Sequence, residues 1–102
     1  MAVTGVSRSE ALPDVPTVAA FVPSYEVSGW QGVGAPRNTP AEIVVKLNTE
    51  INACFADPKI KARAADFGAT VMPGSPDEFG KLIAEETEKW AKVVKFSGAK
   101  PD

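Results

Sequence analysis

Apolar positions fall into two regimes along the chain. From Ile43 onwards they recur at intervals of three and four residues, the spacing of a single helix face. The first forty residues hold most of the Pro and Gly and show no such period. Thr39-Pro40-Ala41-Glu42 has the form of a capping box with Pro at the first helical position, so a helix is predicted to begin there. Its buried stripe is predicted to be Ile43, Val44, Leu47, Ile51, Cys54 and Phe55, with Lys46, Asn48, Glu50 and Asn52 turned away. Asp57-Pro58 ends that helix and caps a second, which runs to about Phe67, buries Ile60, Ala64 and Phe67, and stops at Gly68. Residues 69–72 read as a short strand. Ser75-Pro76-Asp77-Glu78 repeats the capping pattern and predicts a third helix from near Pro76 to about Ser97, stopped by Gly98, with Phe79, Leu82, Ile83, Trp90, Val93 and Val94 as its stripe. Along it Glu85, Glu86 and Glu88 give way to Lys89, Lys92 and Lys95, the order that the helix dipole favours.

In the first part, residues 12–21 predict a turn leading into a helix of about two turns, because Pro13 and Pro16 are best tolerated before or at a helix start. Residues 25–36 predict a strand: Val27, Trp30 and Val33 favour extended backbone, while Gly29, Gly32 and Gly34 leave that backbone open to close approach. What approaches it is a ligand, a neighbouring strand or a bend in the sheet. The fold class expected is α+β, with three main helices and one to three short strands. The whole of 1–102 is expected to form a single domain, divided into a Pro/Gly-rich segment with a strand over 1–38 and a helical segment over 39–98; the resemblance described below makes it a partial domain and the first segment a crossover.

Composition narrows the chemistry. The chain has 102 residues, 44% of them apolar, which suffices for one modest core and not two. The formal net charge is -2 and the Lys and Arg residues are scattered, so a nucleic-acid partner is not expected. Histidine is absent and Cys54 is the single cysteine. These two facts remove the usual general base, the usual metal ligand and the usual activator of a thiol, so no metal, cofactor or catalytic residue is expected. Cys54 lies on an apolar stripe and is expected in the core. The carboxylates of Glu85, Glu86 and Glu88 are expected on a solvated face, since an acid/base pair needs a cleft that shifts a pKa. No serine sits in a nucleophile elbow, and the alternating glycines of 29–34 do not form a phosphate loop. Trp30 lies in the Gly-rich segment, where it is expected to pack in the core or to wall a pocket beside exposed backbone amides. Trp90 is expected in the core. No stretch approaches the roughly 20 apolar residues of a membrane span. The first eight residues lack the pattern of a signal peptide, so a chain starting at Met1 is expected to stay in the cytoplasm.

Taken in order, the residues resemble a known family. The run from Ala2 to Ser9, Leu12-Pro-Asp-Val-Pro-Thr-Val18, Trp30-x-Gly32-x-x-Ala-Pro36-x-x-Thr-Pro40 and Leu47-Asn-x-Glu-Ile-Asn52 are similar to the last third of Bug-family solute-binding proteins of tripartite tricarboxylate transporters. So are Asp57-Pro58, Phe67-Gly-Ala69, Gly74-Ser-Pro-Asp-Glu-Phe79 and Trp90-x-Lys-Val-Val94. The resemblance implies a fragment of a two-lobed α/β periplasmic binding protein that captures a small organic acid and delivers it to membrane transporter components. It also implies that the ligand carboxylate is held largely by backbone amides and ordered water, in a periplasmic location and without catalysis. Of the residues present, Trp30 with the backbone of Gln31 and Gly32, and Thr4 at the end of an expected strand, are the candidate ligand contacts. A lone segment of such a fold would expose helix faces and a strand edge, so self-association into a homo-oligomer is expected. Two further readings are compatible with the sequence: a freestanding oligomeric interaction module without ligand binding, and an enzyme acting on a carboxylic acid through Glu or Lys side chains at a subunit interface.

Overall fold

The computed structural model describes residues 1–100, with three α-helices following a long region of extended chain and turns: α1 (Ala41–Ala56), α2 (Pro58–Asp66) and α3 (Pro76–Ser97). The helix ends obey local chemistry. The Asp57 carboxylate accepts from the Lys59 amide at 2.7 Å and Pro58 opens α2. Gly68, at φ +69°, closes α2 with its amide donating to the Ala65 carbonyl at 2.8 Å, while the Ala69 amide reaches Ala64 at 2.9 Å. Ser75 and Glu78 form a complete capping box at the start of α3, with the Glu78 carboxylate on the Ser75 amide at 2.7 Å and the Ser75 hydroxyl on the Glu78 amide at 3.2 Å. That hydrogen bond from the Ser75 amide holds the Glu78 carboxyl below its ordinary value of 4.5. Gly98, at φ +70°, ends the helix as predicted.

The start of α1 differs from the expectation. The helix begins one residue after Pro40, and the Thr39 hydroxyl caps nothing; it donates backwards to the Pro36 carbonyl at 2.8 Å, within a turn where Asn38 sits at φ +71°. A short bond to the preceding turn has competed successfully with the cap. The expected helix over 12–21 shrinks to a 3-10 turn at Val18–Ala20, because Thr17 is held extended by a parallel bridge to Val3. That bridge places the Val3 amide on the Pro16 carbonyl at 2.9 Å and the Val18 amide on the Val3 carbonyl at 2.8 Å.

The expected strands do not form as ladders among the described residues. The Val27 amide donates to the Thr4 carbonyl at 2.9 Å, which lays the second extended segment beside the first, but no backbone hydrogen bond joins residues 28–35 to another segment. Residues 69–72 likewise form no strand. An extended backbone becomes a strand only when a neighbour pairs with it, and neither segment meets one.

The faces of the helices also turn differently. On α1 the half-buried residues are Val44, Asn48, Ile51, Asn52 and Phe55, whereas Ile43 and Leu47, each 47% exposed, and Cys54 lie open. The two asparagines expected to face away are on the inside. Asn48 donates to the Gly74 carbonyl at 2.8 Å, and Asn52 both donates to that carbonyl at 2.9 Å and accepts from the Gly74 amide at 3.2 Å. Both backbone polar groups of Gly74, the residue before the α3 cap, are thereby satisfied by α1. Phe67, expected in the core, is 78% exposed, and among the described residues none is fully buried. The surface amounts to 8671 Å², where a compact monomer of 10.7 kDa would expose roughly 5,500 Å². The radius of gyration, 16.6 Å, compares with about 13 Å for a compact chain of this length.

Replacement of Asn52 by Ala is expected to lower the unfolding free energy by about 2 kcal/mol, since it strips two hydrogen bonds from Gly74, and replacement of Asn48 by Ala by about 1 kcal/mol. Urea denaturation followed by far-ultraviolet circular dichroism checks the order; equal and negligible losses would contradict the role given to this contact.

Candidate functional site

The Gly-rich segment earns its glycine at position 32. The Gly32 backbone lies directly on the ring of Phe79, from the first turn of α3, and a side chain there would overlap that ring. Two residues earlier Trp30 meets the same phenylalanine edge-on, with ring centroids 5.5 Å apart and planes at 89°, a geometry that contributes on the order of 1 kcal/mol beyond burial. Trp30 and Gly32 thus both meet Phe79, while Gln31 between them is exposed.

A second attachment is ionic. Lys89 reaches across 63 positions of sequence to Glu26 at 3.0 Å and bonds Glu86, one turn before it on α3, at 3.2 Å. The other Glu86 oxygen accepts from the Trp90 indole at 2.8 Å. Glu86, expected on the solvated face, has a side chain only 14% exposed and belongs to the contact face of α3. Glu85 and Glu88 are exposed as expected. Hydrogen bonds from Trp90 and Lys89 hold the Glu86 carboxyl below its ordinary 4.5, with a smaller pull from the Trp30 indole. Lys89 and Ser28 do the same for Glu26, and the two carboxylates together push Lys89 above 10.5.

Between these attachments lies an open groove of about 440 Å³, walled by Trp30 and Trp90 with Ser28, Gly29, Ile83, Glu86 and Thr87. Trp90, expected in the core, is 38% exposed along it. Of the four candidate contacts, Trp30 lines the groove, while Gln31 and Gly32 continue past it along the same segment. Thr4 stands apart, joined to the segment through its carbonyl on the Val27 amide. Phe79, Glu86, Lys89 and Glu26 were missing from the candidates. The spacing of Glu86, Lys89 and Trp90 on one helix face was a usable signal; the pairing with Glu26 left none.

Comparison with known proteins gives this arrangement its context. The family of tripartite tricarboxylate transporter receptors matches residues 1–99. The chain belongs to that family. It is 38% identical over 96 residues to the UPF0065 protein of the tcbD-tcbE intergenic region of a Pseudomonas species, covering 92% of the chain and 29% of that relative. It is 37% identical over 101 residues to BugT of Bordetella pertussis, covering 98% and 31%. Among solved structures the periplasmic binding protein BugD superposes with a TM-score of 0.82 at 33% identity, over 99% of this chain and 35% of that one. The chain therefore spans about 30% of the length of these curated relatives. The α+β description is accordingly a segment of a periplasmic-binding-protein fold, with its strands reduced to a single bridge among the described residues.

The ionic attachment carries a defined pH signature. Glu26 and Glu86 release their protons more readily in the folded chain than in the unfolded one, so their contribution to stability is present above pH 4.5 and is lost as the pH falls through their lowered values. Lys89, raised, contributes below pH 10.5 and ceases to do so as the pH climbs through its folded value. Lys89→Met is expected to destabilise the chain uniformly between these limits and to match it in strong acid. Urea midpoints at pH 3, 7 and 9 check this; a deficit at pH 3 as large as that at pH 7 would show that the lysine acts by packing alone.

Proposed function

We propose that this chain serves as the carboxyl-terminal third of a periplasmic receptor that captures a small organic acid for a tripartite transporter, and that it binds and does not catalyse. The observation that supports this reading most is the segment of residues 30–32 itself: extended, exposed, braced from behind by Phe79, and with its backbone amides committed to no other segment. A carboxylate needs donors held in place before it arrives, and amides on a braced strand provide them at little ordering cost.

The electrostatics of the groove favour one side for the approach of an acid. Glu86 is ionised at neutral pH, and its charge is matched by Lys89, which Glu26 also shares. A ligand carboxylate placed against Glu86 would meet a like charge without a free cation. The favourable direction is the opposite side of the segment, toward Gln31 and the amides of Gln31 and Gly32, with the Trp30 ring as a wall and not as a stacking platform in the groove. Thr4 is assigned a lesser part, at the end of the neighbouring extended segment. Membrane transporter components are the downstream partners of such a receptor, and its location is the periplasm.

Carried in a receptor of family length, Trp30→Ala is expected to weaken binding of a dicarboxylate at least ~10-fold, the worth of one well-placed contact. Gly32→Ala is expected to weaken it similarly by displacing the segment from Phe79. Isothermal titration with a panel of dicarboxylates tests both, and unchanged affinity in the two variants would remove the segment from the site.

A further inference from the structure

The extended segment of the candidate site is tied to α3 at two places. Phe79 meets Trp30 and Gly32 at one end, and Lys89 meets Glu26 at the other, 3.0 Å away. Among the described residues the second tie is the one ion pair between residues 1–38 and a helix. Between the ties the segment passes along the open groove at Ser28 and Gly29, where a Cβ on Gly29 would find nothing within 4 Å. A backbone beside open space has no packing of its own to fix its course, so the ties decide where Gln31 and Gly32 lie.

Lys89 is built to hold its end. Its ammonium group is shared between Glu26 at 3.0 Å and Glu86 at 3.2 Å, and Glu86 is fixed in turn by the Trp90 indole at 2.8 Å. A flexible side chain is thereby docked on its own helix before it reaches the segment, which lowers the ordering cost of the tie. On the other side, the Val27 amide bonds the Thr4 carbonyl at 2.9 Å, so Glu26 leaves from a backbone that is itself held. The trio contains two carboxylates and one ammonium, a net charge of -1 at neutral pH. That is the wrong sign to draw in an acid by its field.

We propose that Glu26 and Lys89 are positioning residues for the acid site: by fastening the start of the segment to α3 they set where the amides of Gln31 and Gly32 stand, without touching the ligand. The proposal rests on the reading that these amides receive the carboxylate. It fixes the sign of one effect. Loss of the negative charge at Glu26 weakens the binding of a negative ligand, the opposite of what the field of Glu26 alone would produce.

The test uses a receptor of family length carrying this chain, titrated calorimetrically with succinate, malate and citrate. Glu26→Ala is expected to weaken binding ~10-fold and Lys89→Met to match it, the scale of one lost charge-assisted contact. The double variant is expected to be no weaker than the poorer single one, as for two halves of one contact. Glu26→Gln keeps an acceptor for Lys89 and is expected to recover most of the affinity. The glycine signals give a readout that needs no ligand. In a receptor with isotope-labelled glycine, the Gly32 α-protons carry the ring-current shift of Phe79, and Glu26→Ala is expected to move them toward the unstructured value. Unchanged or tighter binding in Glu26→Ala overturns the proposal, and so does a Gly32 signal that stays in place, because the segment then keeps its course without the tie. Trp30→Ala separates this failure from that of the site. If Trp30→Ala binds weakly while Glu26→Ala binds normally, only the positioning role is removed. If Trp30→Ala binds as the unmodified receptor does, or the receptor takes up none of the three acids, the site reading fails and the proposal falls with it.

Discussion

The hold of Asn48 and Asn52 on the backbone amide and carbonyl of Gly74 is the constraint from which the other long-range contacts follow. Three hydrogen bonds fix the point at which α3 departs from α1, and the Ser75 capping box begins one residue later. Once that origin is set, Phe79 falls under Gly32, and two turns further on Glu86 and Lys89 reach Trp90 and Glu26. A change in the angle of departure would be magnified along the 22 residues of α3, so the distant end of the helix feels the clamp most.

Polar groups rather than methyl groups perform this task for a geometrical reason. A glycine turn presents a bare peptide to its neighbour, and a bare peptide in a half-buried position must find hydrogen-bond partners. Asparagine supplies a donor and an acceptor in one planar group, and two asparagines a helical turn apart reach the same target. The contact face of α1 is therefore partly amide, and its most apolar flank is free for another purpose.

Much of the helical half was legible because helix ends are local events. Asp57-Pro58, Gly68, the Ser75 box and Gly98 each act within about four residues and behave as read. Thr39 misled because a second local bond, to Pro36, was available to the same hydroxyl. Facing was harder: periodicity located the apolar stripe of α1 but could not reveal that contact would fall on its asparagine edge, since that depends on Gly74, more than twenty positions away. The candidate site was legible to the same degree. Trp30, Gln31 and Gly32 stood out by composition and lie on one exposed segment, while the contacts of Phe79 with Gly32 and of Lys89 with Glu26 arise from tertiary structure that no spacing encodes.

The contact between Gly32 and Phe79 bears on how a receptor of this kind can diversify. A Cβ at position 32 would overlap the far edge of the Phe79 ring, from a different element, so a substitution there must displace that ring or the segment itself. Gln31 is exposed and is not part of that contact. Position 31 can therefore vary without disturbing the seam between the segment and α3, while 32 and 79 drift together or not at all.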